Sequence, residues 1–312
     1  VEPNVMFTLD DSGSMQWEYM PDGTTSMAYL MPQVSNLYGG SNYNRDIPRF
    51  RDDYGPNLRG RNPQLNGVFY NPQVEYQPWT KSNGSLFPEH KPNNAPLNPK
   101  LDKGSRDLES LHTWTKWDGV GPNDTGDDNT YWPITFYMYD ESGNENSPES
   151  YTKYQIRGNK AFTATPADKE SMEEIFGFSW PDGPTRTIAE EKQNFANWFT
   201  YHRSRVLTSW GAIGRAFTRL PDQARVGFAA INKSGAVINE VEKFDIAGRT
   251  SFYDSMYGHV MNRAGTPLRR AARAVGEYFE STDDDGPWST TPGDSGGDDL
   301  ACRQSFHILM SD

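Results

Sequence analysis

Apolar residues in this chain are grouped in three different rhythms, and each rhythm predicts a different kind of structure. Residues 5–9 and 306–310 are short, mostly apolar runs that close on polar turns. Five such residues are too few for a stable helix; residues 5–9 read as a strand buried on both faces, and 306–310 as another apolar strand. Between 187 and 220 the rhythm changes: Phe195, Trp198, Phe199, His202, Val206, Trp210, Ile213, Phe217 and Leu220 recur at steps of three and four, stopped by Pro221. That is one face of a long amphipathic helix, or of two abutting ones, and His202 falls within it as a packing residue. Thr187 and Glu190 open the stripe at capping-box spacing. Residues 224–231 and 236–241, joined by Asn232-Lys233-Ser234-Gly235, predict an antiparallel hairpin. Residues 251–261 and 267–279 read as helices, the second with Pro267 in the favoured first turn.

Residues 16–184 show neither rhythm for long. Turn-forming stretches alternate with short strand candidates at 67–70, 131–139 and 151–156, so this region reads as an irregular, partly β insertion. Residues 281–300 form an acidic, glycine-rich loop whose spacing fits no EF-hand. Strand, insertion, helix, hairpin, helices, strand is the first part of a doubly wound α/β fold, with the last strand beside the first. The sheet then ends with an open edge, which leads us to expect that the natural polypeptide continues beyond Asp312.

Composition narrows the partners. The chain of 312 residues carries a formal charge of -12, which argues against a nucleic-acid backbone or an anionic membrane as the main partner. No apolar run approaches a membrane span. Aromatic residues make up 13% of the chain, with 28 Gly and 22 Pro; this is the composition of many loops pinned by aromatic side chains, not of a disordered segment. Cys302 is the only cysteine, so no internal disulfide or multi-cysteine zinc site exists. It reads as a buried, inert thiol, or as one that pairs outside this chain.

Candidate chemistry sits at the strand ends. The first strand runs into Asp10-Asp11-Ser12-Gly13-Ser14, where a carboxylate and two hydroxyls at alternate positions can turn their oxygens to one point. Such oxygens suit a hard divalent cation; the plain reading is a polar turn that caps its own backbone. Thr266 adds a hydroxyl at a helix start, and Asp312 adds a carboxylate after the last strand. Together these residues resemble the metal-ion-dependent adhesion site of von Willebrand factor A domains. The resemblance implies a doubly wound, Rossmann-like domain truncated after its central strand, formed by residues 1–15 and 185–312, with 16–184 as the insertion lobe. It also implies that Asp10, Ser12, Ser14, Thr266 and Asp312 hold Mg²⁺, with Mn²⁺ or Ca²⁺ as alternatives.

Longer phrases narrow the likeness. Phe69-Tyr70-Asn71-Pro72, Tyr76-Gln77-Pro78-Trp79, the run from Asn194 to Arg205, and the run from Cys302 to Asp312 resemble the N-terminal region of PilY1-type (PilC-like) adhesins of type IV pilus tips. That resemblance implies an extracellular, pilus-associated module without a catalytic residue. It implies a partner that offers a carboxylate to the metal: a host-cell or surface protein, or alternatively minor pilins during assembly. The β-propeller that such proteins carry C-terminally is outside this chain. A rival enzyme reading rests on Gly293-Asp294-Ser295-Gly296-Gly297, the nucleophile sequence of chymotrypsin-like proteases. No histidine stands in the matching context, and the helical stretches do not suit a two-barrel fold.

Overall fold

A computed structural model describes residues 2–20, 29–42, 47–113, 130–181, 183–300 and 302–312. The chain divides into two compact units. Unit 1 comprises residues 1–15, 79–87 and 209–312, and unit 2 comprises 16–78 and 88–208.

The centre of unit 1 is a four-stranded sheet in the order Val237–Lys243, Arg225–Ala230, Asn4–Leu9, Ser305–Met310. Asn4–Leu9 is parallel to both neighbours, with Leu9 opposite Ala230 on one side and Met310 on the other. The predicted hairpin forms antiparallel. In-phase pairing ends three parallel strands at the same level, so the residues that follow them emerge side by side. Asn4–Leu9 is almost wholly buried, as its run of apolar residues requires. The last strand is not: Phe306 and Ile308 remain 49% and 46% exposed on an edge with no further partner among the described residues.

Helices cover the sheet where their patterns allow. Leu268–Glu280 follows Pro267 and buries Ala271 and Val275, one turn apart, in a cluster with Met6, Ile231 and Val241. Ile246–Tyr257 starts at Asp245, whose carboxylate accepts from the Ala247 and Gly248 amides at 3.0 and 3.2 Å. It starts five residues earlier than its apolar pattern predicts and is capped by Gly258. Phe252 from this helix packs edge-on against Phe7 and Phe228.

Unit 2 is built on a four-stranded antiparallel meander of Thr135–Tyr139, Tyr151–Arg157, Lys160–Ala164 and Glu173–Ile175. The strand read over 131–139 is thus split, and residues 67–70 form a turn, not a strand. Of the insertion read over 16–184, residues 21–28, 43–46, 114–129 and 182 lie outside the described residues. The long stripe resolves into two helices, Ile188–Tyr201 and Arg205–Phe217. The Thr187–Glu190 capping box is present as read.

The first of these helices packs within unit 2, not in the sheet-bearing unit to which the resemblance assigns residues 185–312. Its side-chain N–H groups satisfy the backbone of an otherwise irregular segment: Asn194 donates to Val74 O at 2.9 Å, Asn197 to Tyr76 O at 3.0 Å, and the Trp198 indole Nε1 to Val68 O at 3.0 Å. Tyr70 donates to Glu191, which also pairs with Arg186 at 3.1 Å in a buried group. Residues 79–87 go the other way. Trp79 stacks on Tyr257 with ring centroids 4.8 Å apart and meets Trp210 edge-on at 5.5 Å, and the Tyr257 hydroxyl donates to Thr80 O at 2.8 Å. These contacts fasten a segment from the middle of the predicted insertion to the sheet-bearing unit.

Candidate metal centre

The site is assembled by register. Because Leu9, Ala230 and Met310 lie level, the loops starting at Asp10, Ile231 and Ser311 meet at the carboxyl end of the sheet, where open α/β sheets place ligands. Asp10 N continues the ladder to Met310 O at 2.9 Å, and Ile231 N does so to Leu9 O at 3.1 Å. The loop then tightens into a short 3-10 turn at Gly13–Gln16.

Asp10 is 0% exposed. Its Oδ1 accepts from the Ser12 amide at 2.8 Å and its Oδ2 from the Ser311 hydroxyl at 2.6 Å. Among the described residues no lysine, arginine or histidine pairs with it. A buried carboxylate with two hydrogen bonds and no cation is costly unless another positive charge is supplied. The Ser12 and Ser14 hydroxyls lie 3.1 Å apart. Neighbouring oxygens around a Mg²⁺ ion held at about 2.0–2.1 Å stand roughly 2.9 Å apart, so these hydroxyls are spaced as two adjacent ligands. Among the described residues no three His, Cys, Asp or Glu side chains cluster as a metal-binding group. An ion here would rest on hydroxyls and at most two carboxylates, a set that suits Mg²⁺ with retained waters.

The other two residues read as ligands stand nearby in the chain's path. Gly13 N donates to Ala264 O at 2.9 Å, which brings the segment carrying Thr266 beside the loop. Thr266 is exposed, and no hydrogen bond joins its hydroxyl to Asp10, Ser12 or Ser14 among the described residues. Asp312 follows Ser311 and is exposed. The structure thus joins Asp10, Ser12 and Ser14 directly, and brings the Thr266 segment and Asp312 to the same sheet end.

Sequence reasoning missed the residues that brace this loop. Asp11 is buried; its Oδ1 accepts from the Asn232 amide at 2.9 Å and from Asn232 Nδ2 at 3.0 Å, while its Oδ2 meets His259 Nε2 at 2.9 Å. Asn232 Nδ2 also donates to Gly265 O at 2.9 Å. One carboxylate therefore ties the Asp10–Ser14 loop to the hairpin turn and to the end of Ile246–Tyr257, and Asn232 carries the link on to the Thr266 segment. Ser311 was likewise passed over. The available signal was position: each stands immediately beyond a buried strand or a helix end.

Two other residues singled out in the sequence lie at the surface. Cys302 is exposed, not buried, because it sits in a turn ahead of the edge strand instead of within the core. Ser295 is exposed, and its hydroxyl has no hydrogen-bond partner among the described residues.

Comparison with known proteins agrees with the pilus reading at a coarse level. The chain is 29% identical over its whole length to the type IV pilus biogenesis factor PilY1 of Pseudomonas aeruginosa strain PAK, and 27% identical to that of strain PAO1. A third PilY1, from strain UCBPP-PA14, is 26% identical. These matches relate the chain to type IV pilus proteins of the PilY1 kind. It spans about a quarter of the length of these relatives, 24% of the first two. No family model matches the chain. No solved structure matches it. Among the described residues no helix is long and apolar enough to cross a membrane.

Proposed function

We propose that this chain is a metal-dependent partner-binding module of a type IV pilus-associated protein, acting at the pilus or cell surface without catalysis. Asp10, Ser12, Ser14, Thr266 and Asp312 would hold the ion, Mg²⁺ by preference. When bound, the ion supplies a positive centre with an exchangeable position that accepts a carboxylate from a partner protein. The observation that carries this reading is Asp10, a fully buried carboxylate without a cationic partner among the described residues. Ser12 and Ser14 offer neutral oxygens, so with Asp10 as the one direct carboxylate the ion keeps one positive charge, which Asp312 would neutralise only if it bound directly. Ser311 fixes the Asp10 carboxylate, and Asp11 fixes the backbone that presents the hydroxyls. This reading follows the resemblance to von Willebrand factor A adhesion sites, and we extend that fold reading to unit 1.

One carboxylate contact cannot discriminate partners, so selectivity must come from other surface. The chain passes from Met15 straight into unit 2 at Gln16, and we assign selectivity to that unit. A second reading makes the partner a minor pilin instead of a host surface; the relatives' description as biogenesis factors favours it. The test is binding of the chain to host cells and to purified minor pilins, each with Mg²⁺ and with EDTA. Both readings require that EDTA and Asp10→Ala abolish binding, and the partner that is lost distinguishes them. Undiminished binding by a folded Asp10→Ala protein would refute both.

A further inference from the structure

The helix Leu268–Glu280 carries its charges in an order that works against its own stability. Arg269, Arg270 and Arg273 fall within its first six residues, and Glu277 and Glu280 stand in its last turn. The positive end of a helix macrodipole disfavours cations, and the negative end disfavours anions. The three arginines also stand at i, i+3 and i, i+4 spacings, so like charges are neighbours on the helix surface and repel.

Little among the described residues offsets this. Arg273 Nε donates to Glu277 Oε1 at 2.7 Å, but the two side chains are 80% and 56% exposed, and a pair so placed contributes little. No hydrogen bond or ion pair engages the Arg269 or Arg270 side chain among the described residues. Ala271 and Val275 bury the other face of the helix in the cluster with Met6 and Val241, and all three arginines are exposed. Charges that break several local rules together are expected where a surface serves a partner.

The row begins at the candidate metal centre. Gly13 N donates to Ala264 O at 2.9 Å and Asn232 Nδ2 to Gly265 O at 2.9 Å, so the segment leading into the helix is tied to the Asp10–Ser14 loop. At about 1.5 Å of rise per residue, Arg269 to Arg273 stand roughly 1.5–7.5 Å along the helix from Leu268. An extended partner segment advances about 3.3 Å per residue, so acidic side chains a few residues from a metal-bound carboxylate come within reach of the row. Residues 255–276 include four arginines and no Asp or Glu, in a chain where 42 of 312 residues are acidic. Such a local patch complements a short acidic segment. A nucleic-acid backbone or an anionic membrane would also meet the overall charge of -12.

We propose that Arg269, Arg270 and Arg273 form a docking row for an acidic segment of the partner protein, in which the carboxylate offered to the metal is flanked by further Asp or Glu residues. This rests on the metal-dependent reading above and names the chemistry of the partner that the site takes. The row sets the charge of the bound segment, and the choice among acidic partners stays with unit 2.

The test is fluorescence anisotropy of the full chain with two labelled peptides in saturating Mg²⁺. Each has a central aspartate, flanked on both sides by glutamates in one peptide and by glutamines in the other. The glutamate peptide should bind about tenfold more tightly at about 50 mM salt, as three exposed charge contacts predict, and only about two- to threefold more tightly at about 300 mM. The triple substitution Arg269→Gln, Arg270→Gln and Arg273→Gln should bind both peptides alike, at the affinity of the wild type for the glutamine peptide. Its melting temperature should equal or exceed that of the wild type, because the lost charges oppose the helix; a lower one would contradict the reasoning. EDTA should weaken both peptides by the same factor. Binding indifferent to EDTA, with the preference for glutamate intact, would refute the metal reading and leave the arginine row standing. Equal binding of the two peptides by the wild type, or a preference that survives the triple substitution, would overturn the row alone, and no binding of either peptide up to about 5 mM would overturn both. Single-stranded DNA or phosphatidylserine vesicles that bind more tightly than the glutamate peptide through these arginines would also overturn it, as would self-association of the chain that the triple substitution abolishes.

Discussion

Replacing Asp10 by Asn separates a metal ligand from a structural carboxylate, because the two roles give different signs. The asparagine keeps the size of the side chain and both hydrogen bonds: its carbonyl still accepts from the Ser12 amide, and the Ser311 hydroxyl can turn to accept from its amide. Only the charge is lost. In the absence of metal, Asp10 is a fully buried anion without a cation among the described residues. Its desolvation costs several kcal/mol, and two hydrogen bonds to a charged group return about 1.5–3 kcal/mol each. These nearly cancel, so Asp10→Asn should change the metal-free stability by no more than about 1 kcal/mol.

With metal the balance shifts. A ligand at 100 times its Kd stabilises the native state by about 2.7 kcal/mol. The wild-type chain should gain that amount in Mg²⁺, and Asp10→Asn should gain almost none. The assay is urea unfolding of both proteins, in EDTA and in saturating Mg²⁺, with ΔG from linear extrapolation. The reasoning fails if the variant loses about 2 kcal/mol or more in EDTA, or if Mg²⁺ stabilises both proteins alike.

Three further outcomes follow from other parts of the structure. Asp11→Ala leaves the Asn232 amide, Asn232 Nδ2 and His259 without their common acceptor, and should cost about 3–5 kcal/mol with or without metal; a loss under 1 kcal/mol in urea unfolding would contradict the bracing role. Trp79→Ala removes a buried indole stacked on Tyr257 and should cost about 3–5 kcal/mol, whereas a loosely held loop would lose almost nothing in the same measurement. His202 donates from Nε2 to Gln77 O at 2.7 Å, and burial lowers its pKa, an effect the carbonyl partly offsets. Between that lowered value and the unfolded value of about 6.5 the unfolded chain takes up a proton that the folded chain refuses, so stability falls as pH drops below about 6.5. His202→Gln should flatten part of this slope in melts run across pH; the part due to His90 and His307, lowered for the same reason, should remain.

How much of this was legible depends on whether the determining contact was local. The strands at either end of the chain, the hairpin and the Thr187 cap were readable because apolar runs, turn residues and capping pairs act within a few positions. The place of residues 79–87 was not. Trp79 lies among turn-forming residues, and what fixes it is a ring 178 positions away at Tyr257; no periodicity encodes such a pair. The helix Ile188–Tyr201 was found but given the wrong neighbour, because its apolar face says only that something covers it. Its Asn194 and Asn197, which bond the backbone of residues 74–76, say what does, and they look like ordinary polar positions in a helix.

The same limit explains the Asp10–Ser14 loop. Reading Asp-x-Ser-x-Ser for its oxygens selects Asp10, Ser12 and Ser14 and treats Asp11 and Gly13 as spacers. In a loop leaving a strand, alternate residues face opposite ways, so the side chain skipped by the ligand pattern points into the fold behind it. Asp11 is buried there, held by a hairpin turn and a histidine, and the Gly13 amide bonds the segment that carries Thr266. The spacers are what make the hydroxyls a fixed pair instead of a mobile turn. A carboxylate at a skipped position, directly after a buried strand, is therefore a signal in itself: it needs donors from behind the loop. Asn232 and His259, each just past the end of a strand or helix in this sheet, are the residues that can supply them.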